Sequence, residues 1–273
     1  MIGIRMLRRI ATWTAVVLAV FIPGRVRAQY DAYTAPRNAV VNTAGARLIK
    51  VSAGAGFLHI NGRSGTTQVQ VTGVARASSR QILDQIRLVA ERQGDVVMIK
   101  MVVPEETSSF WNLLRGNFYQ ALDLTIEVPA GLPLDVSDGS GETTIKGTGP
   151  VTIVDGSGDL ELSGIGGKVN ITDGSGNITI RGVDGDVYVD DGSGNIDANN
   201  VTGNFTIGDD GSGTVDIVGV GGTMRINQKG SGPVNVSRVG GDFVVDSKGS
   251  GSISYDTVKG AVTIPERKRR SRG

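Results

Sequence analysis

The chain has no cysteine and only one histidine in 273 residues. No disulfide can form, no thiolate can act as a nucleophile, and no lipid can be attached to a cysteine behind an N-terminal leader. His59 has no second histidine or cysteine to complete a metal-ligand set, so an outward polar position on a strand is expected for it. Aromatic residues are scarce, at 5%. Catalytic signatures are missing as well. There is no Gly-x-Ser-x-Gly elbow and no Ser-x-x-Lys pair, and the glycines form neither a Gly-x-Gly-x-x-Gly fingerprint nor a phosphate loop.

Glycine is what the chain has in excess, with 41 residues, roughly twice the usual share. The phrase Gly-Ser-Gly recurs seven times, preceded by Asp138, Asp155, Asp173, Asp191, Asp210, Lys229 and Lys248, at spacings of 17, 18, 18, 19, 19 and 19 residues. A fixed period of this length marks a stacked array. Counted from the second glycine, apolar residues fall at offsets two, four, seven, eleven and thirteen, with a glycine at offset nine. After Gly176 these are Ile178, Ile180, Val183, Val187 and Val189, with Gly185 between. The alternation is that of strands with one buried face. The columns repeat as Leu160, Leu162, Ile165, Val169 and Ile171, and as Val234, Val236, Val239, Phe243 and Val245.

No single coil can bury its apolar positions alone, so each must lie on its neighbours. The predicted fold is all-β: a parallel β-solenoid, or β-helix, of about seven regular 17–19-residue coils, preceded by a less regular N-terminal β region. Gly158, Gly176, Gly194, Gly213, Gly232 and Gly251 are the expected structural corners, supplying positive φ. Parallel crossovers favour right-handed coiling. An eighteen-residue period would also suit a left-handed hexapeptide helix, but the apolar offsets do not repeat every six residues.

Residues 1–28 read as a secretory signal peptide: Arg5, Arg8 and Arg9 precede an apolar run from Ile10 to Ile22, and Val26-Arg27-Ala28 offers a cleavage site. An uncleaved anchor is the alternative, because Arg25 and Arg27 sit close to the cut. Residues 29–46 lack periodicity and read as a linker. Residues 47–136 read as an irregular β region with a short helix started by Ser78 or Ser79, a following hairpin about Gly94, and an aromatic insertion. Within it, Leu58 and Ile60, then Val69 and Val71, suggest a degenerate coil. Phe110, Trp111, Phe118 and Tyr119 suit either a cover for apolar surface or a peripheral membrane contact. Residues 137–264 are the regular solenoid, and 265–273 a basic, disordered tail.

The formal charge of +1 conceals a segregation of charge. With the leader's five arginines, the tail's five basic residues and Glu266 set aside, 18 cations face 26 anions, a net of −8. The tail, with Arg267, Lys268, Arg269, Arg270 and Arg272, either grips an anionic surface or acts as a solubilising end. No nucleic-acid partner is expected.

The string from Ala121 to Pro129, then Leu134-Asp-Val136, then repeated Ser-Gly-x-[Ile/Leu/Val]-x-[Ile/Leu/Val] with a midway glycine, resembles the bacterial putative adhesin family. These are exported β-solenoids also classed as a domain of unknown function. The resemblance spans residues 47–264 and rests on repeat shape. It implies an exported protein with no catalytic residues to carry over. The unusually regular Asp-Gly-Ser-Gly corners depart from it.

Asp155, Asp173, Asp191 and Asp210 should stack at one corner about 5 Å apart, joined by Asp190 and Asp209. Two readings stay open. In one, each aspartate bonds backbone N–H groups in its own turn; in the other, the row holds weak surface calcium. The calcium-roll repeat itself fails, since its aspartate column is here Leu160, Ile178, Ile196, Val215, Val234 and Ile253. No other cofactor is expected. The leading functional expectation is a non-enzymatic protein of the periplasm, cell envelope or extracellular space, presenting a rigid repeat surface to a polysaccharide or envelope protein. The alternatives are a polysaccharide-processing enzyme using outward acids such as Glu161, Asp197 and Asp216, or a structural or stress-response accessory without ligand.

Overall fold

The computed structural model describes residues 33–103 and 119–265. The signal peptide, the start of the linker, Phe110, Trp111 and Phe118 of the aromatic insertion, and the basic tail from Glu266 onward lie outside the described residues.

The first part of the chain forms β1 (Tyr33–Asn42), β2 (Leu48–Ser52), β3 (Leu58–Arg63), β4 (Gln68–Ala77), α1 (Arg80–Gln85), β5 (Arg87–Gln93) and β6 (Val96–Val102). After the insertion come β7 (Gln120–Pro129), β8 (Leu134–Asp138), β9 (Thr143–Lys146), β10 (Val151–Asp155) and β11 (Leu160–Ile165). Then follow β12 (Val169–Asp173), β13 (Ile178–Val183), β14 (Val187–Asp191), β15 (Ile196–Val201), β16 (Phe205–Ser212) and β17 (Val215–Val220). The last are β18 (Met224–Ser231), β19 (Val234–Val239), β20 (Phe243–Ser250), β21 (Ile253–Val258) and β22 (Val262–Thr263).

From β8 on, odd-numbered strands build one sheet and even-numbered strands the other, each paired in parallel with the strand two places along. The two sheets make a β-solenoid of about seven turns. Ile178 pairs with Ile196, and Ile196 with Val215. The inward residues of one coil, Ile178, Ile180, Val183, Val187 and Val189, are each at most 2% exposed. Burying such side chains contributes about 1.5–3 kcal/mol apiece, and they join one continuous core.

The Asp-Gly-Ser-Gly corner is where close stacking demands glycine. Gly176 has φ +142°, and a Cβ there would fall 1.7 Å from the carbonyl oxygen of Gly158 in the coil before. The change of period from 18 to 19 residues has a local cause. Val189 pairs with Ile207 but Asp191 with Asp210, so β16 carries one extra residue as a bulge. Asp190 Oδ1 accepts the Asp209 N–H at 3.0 Å and the Tyr188 hydroxyl at 3.0 Å, tying the bulge down. Later coils keep the extra residue in register.

The N-terminal region departs from expectation in three ways. Tyr33–Asn42, within the expected linker, is instead a ten-residue edge strand antiparallel to β4. Its Pro36 and Arg37 hid the pattern. Proline is tolerated at an edge, and Arg37 donates to the carbonyls of Leu83 (3.0 Å) and Ile86 (2.9 Å) at the end of α1. Second, β3 and β4 are not one degenerate coil. β3 lies in the parallel stack beside β9, while β4 runs antiparallel to β7, which separates them. Third, β6 and β7 stack outside β2 and β3, so coil order differs from chain order. The helix and the following hairpin are present, with Ser79 rather than Ser78 as the cap, its hydroxyl accepting the Ile82 N–H at 3.2 Å.

Candidate functional site

Two corners of the solenoid gather polar chemistry, and each repeats from coil to coil. The first is the aspartate row. Asp138, Asp155, Asp173, Asp191, Asp210, Lys229 and Lys248 pair in that order across neighbouring strands. The row is not on the surface, which corrects the expected surface site. Alternation continues through Val151, Ile153 and Asp155, so the acid is the third inward residue of its strand. Asp155, Asp173, Asp191 and Asp210 are 3%, 4%, 3% and 0% exposed.

Buried carboxylates need partners, and the middle of the row has few. Neither carboxyl oxygen of Asp155 or Asp173 meets a donor in hydrogen-bonding geometry. Asp191 accepts only the Ser193 N–H, at 3.1 Å on Oδ1. Loss of hydration pushes the Asp155 carboxyl up to about 6, helped by the charges of Asp138 and Asp173 and opposed by the nearby N–H groups of Gly156 and Ser157. Asp191 is likewise pushed up to about 6, by burial first and then by Asp173 and Asp210. Burial also raises Asp138, Asp173 and Asp210.

Both ends of the row are better served. Asp138 Oδ2 accepts the hydroxyl of Thr143 at 3.0 Å. Thr143 occupies a column otherwise held by Leu58 and Leu160, and is fully buried. Asp210 Oδ2 pairs with Lys229 Nζ at 2.9 Å, both side chains being at most 2% exposed. Sequence reasoning passed over Thr143 as a partner. The signal was a lone hydroxyl in an aliphatic column.

The second corner lies at the far end of the odd-numbered strands. Its column reads Gly147, Gly164, Gly182, Asn200, Gly219, Arg238 and Thr257, all with φ between 54° and 81°. Three of these are not glycine; asparagine enters the left-handed region readily, but for Arg238 and Thr257 it costs about 1–2 kcal/mol each. These three border a groove of about 580 Å³, whose rim also carries Thr202 and Lys259. Such strain is typical of positions kept for what their side chains do. Sequence reasoning missed this column altogether, although glycine alternates there with Asn200, Arg238 and Thr257 at offset six.

The remaining candidates sit elsewhere. Glu161, Asp197 and Asp216 lie on the face of the odd-numbered sheet, Asp197 beside Asp216 but Glu161 two strands away from Asp197. Glu161 is paired with Lys146 at 3.1 Å. His59 is half-buried and outward, stacked on Phe57 with ring centroids 4.6 Å apart. Much of the outward asparagine is engaged within the solenoid. Asn177 donates to Asp159 (3.0 Å), Asn195 to Asn177 (3.0 Å), and Asn204 to Asp186 (3.1 Å). No point among the described residues is faced by three or more acid or imidazole groups.

No protein-family model matches the chain, and no curated protein is significantly similar to it. Among solved structures, the chain is similar to a putative cell adhesion protein from Clostridium sporogenes at 14% identity and a TM-score of 0.37, over 86% of this chain and 100% of that one. It is similar to a putative lipid binding protein from Parabacteroides distasonis at 16% identity and a TM-score of 0.42, over 84% and 97% of the two chains. A putative adhesin from Bacteroides fragilis is similar at 12% identity and a TM-score of 0.33, over 86% and 99%.

Proposed function

We propose that the protein is a non-enzymatic, exported binding scaffold whose partner is an acidic surface polysaccharide, held in the groove beside Arg238. The observation that carries this reading is the left-handed backbone of Asn200, Arg238 and Thr257 on one groove, at positions where glycine would fold more easily. A groove of about 580 Å³ is within the range that admits small ligands. Arg238 and Lys259 supply cations, with Arg238 able to grip a carboxylate or phosphate by two bonds. Asn200, Thr202 and Thr257 supply hydroxyl-matching donors and acceptors. Asn200 and Arg238 stand two coils apart, with Gly219 between them, and Thr257 one coil beyond Arg238. Coils stack about every 4.8 Å, so a polymer lying along the rim touches all three and gains by binding several at once. Export rests on the N-terminal leader read from the sequence.

The test is a glycan array probed with the whole chain and with Arg238→Gly, which removes the guanidinium and keeps the backbone conformation. Retention of uronate-, sulfate- or phosphate-bearing glycans, weakened at least about tenfold in the variant, is the expected result; that is about 1.4 kcal/mol. Binding to no glycan, or equal binding by the variant, overturns the proposal. Shortened glycan products would instead identify a polysaccharide-cleaving enzyme.

A further inference from the structure

The aspartate row meets a hydroxyl at one end, that of Thr143, and a lysine at the other, Lys229, but neither in its middle. Asp155, Asp173 and Asp191 stand in three successive coils, each at most 4% exposed. Five of their six carboxyl oxygens meet no donor in hydrogen-bonding geometry, although turn N–H groups of Gly156, Ser157, Gly174 and Ser175 lie near them. Among the described residues the buried cation is Lys229, two coils beyond Asp191.

Lys229 reveals how the same corner handles a cation. Its Nζ lies 2.9 Å from Asp210 Oδ2 in the coil before, 2.9 Å from the carbonyl oxygen of Gly213 and 2.6 Å from that of Ser231. One carboxylate and two corner carbonyls thus converge on a positive charge lying in the row. One corner bond repeats from coil to coil, the N–H of the second glycine donating to the next coil's serine carbonyl: Gly213 to Ser231 at 3.3 Å, Gly158 to Ser175 at 2.9 Å and Gly176 to Ser193 at 3.0 Å. This holds although β10, β12 and β14 end at the aspartate whereas β16 and β18 run on through the serine. Earlier coils therefore hold the corresponding carbonyls and a surplus of carboxylate, but no lysine at that place.

The geometry points to a row of buried sites for a hard divalent cation of calcium's size, between Asp155 and Asp173 and between Asp173 and Asp191. Each ion would be held by carboxylates of two successive coils and by corner carbonyls. Stacked strands repeat about every 4.8 Å, so an ion midway between two stacked carboxylate oxygens lies about 2.4 Å from each. That matches calcium–oxygen bonds of about 2.3–2.6 Å and is too long for magnesium at about 2.0–2.1 Å. A depression of about 370 Å³ borders Asp173 and Asp191 and carries Asp190 and Asp209 on its rim, giving the row an acidic access route.

The experiment is calorimetric titration of the metal-stripped whole chain with calcium chloride or magnesium chloride, alongside thermal melts in each salt and in chelator. Calcium should bind and raise Tm, with magnesium at least about tenfold weaker. Asp173→Asn belongs to both sites and is nearly isosteric. It should lose at least about tenfold in calcium affinity and most of the calcium-dependent Tm shift, while melting in chelator no lower than the parent, because one repelling charge is gone. Asp155→Asn provides the same comparison if Asp173→Asn fails to fold by circular dichroism. Absence of calcium binding by the parent, equal response to the two metals, or unchanged titration of the folded variant each overturns the proposal. None of these outcomes depends on the Arg238 groove.

Discussion

An inward aspartate in each of five successive coils, from Asp138 to Asp210, places a carboxyl where burial penalises its charge. Folding raises the carboxyls of Asp155 and Asp191 from 3.8 to about 6, so between those values the folded protein binds protons that the unfolded chain does not. Stability must then rise as pH falls through about 6 and level off below about 4. Each group contributes about 3 kcal/mol at most, from a shift of roughly two units at 1.36 kcal/mol each. In chelator, Tm at pH 5 is expected above Tm at pH 7.5, and the double substitution Asp155→Asn with Asp191→Asn should flatten the difference; a lower Tm at pH 5 in the parent contradicts it. Arg238 has a different kind of cost. Its left-handed backbone favours glycine by about 1–2 kcal/mol, offset by about 0.5–1 kcal/mol of added chain entropy in the unfolded state. Arg238→Gly should therefore raise the urea-unfolding free energy by about 0.5–1 kcal/mol, in the opposite direction to its effect on glycan binding. A loss of stability would assign the side chain a structural duty at the corner. The inward path of the aspartates was legible in principle, since Asp173 follows Val169 and Ile171 at the same parity. It was missed because an unpaired charge inside a protein is normally excluded by its desolvation cost.

At the scale of elements, legibility follows repetition. Each coil from Gly158 to Val245 states the same columns again, so strand, face and register are specified several times over. The resulting pairs, such as Leu160 with Ile178 and Val169 with Val187, are those the alternation predicts. The bulge in β16 was visible as a change of period but not as a bulge, because sequence shows the extra residue and not where pairing slips. The N-terminal elements occur once each and could not be averaged. β1 hid behind Pro36 and Arg37, which read as linker yet suit an edge strand tied to the end of a helix. The placement of β6 and β7 outside β2 and β3 was not readable at all. Aliphatic strands of equal parity are interchangeable neighbours in a parallel stack, so the alternation does not say which of them lies outermost. The aspartate corner was located from the repeat, whereas the Arg238 groove needed coordinates to show three left-handed side-chain-bearing residues along one rim.

Across the molecule, stability is a sum over neighbouring coils, and the two ends of the stack are not equivalent. At one end β1, β4, β5 and α1 lie against the outermost coil, and Val41, Leu83 and Ile86 extend the core into them. At the other end β21 has, among the described residues, a single neighbour, β19. Ile253, Tyr255 and Val258 occupy the inward columns of Val234, Val236 and Val239, yet Tyr255 is 52% exposed where Val236 is 2%. Tyr255 keeps only a tilted contact with Phe243, with centroids 6.0 Å apart. Opening the last coil therefore exposes little that is not already in water and breaks one interface, whereas opening β13 breaks two. Hydrogen exchange monitored by mass spectrometry should show protection lowest in peptides covering β21 and β22, rising over the next two coils, and near its maximum from β12 to β15. The β1–β4 pair should exchange more slowly than β21, although both contain an edge strand. Uniform protection from Leu160 to Val258 would mean that the solenoid opens as one cooperative unit, and that the end coil is held by something other than its neighbour. If calcium fills the aspartate row, adding it should slow exchange most in β10, β12 and β14, whose last residues are Asp155, Asp173 and Asp191, and leave the protection of β21 unchanged.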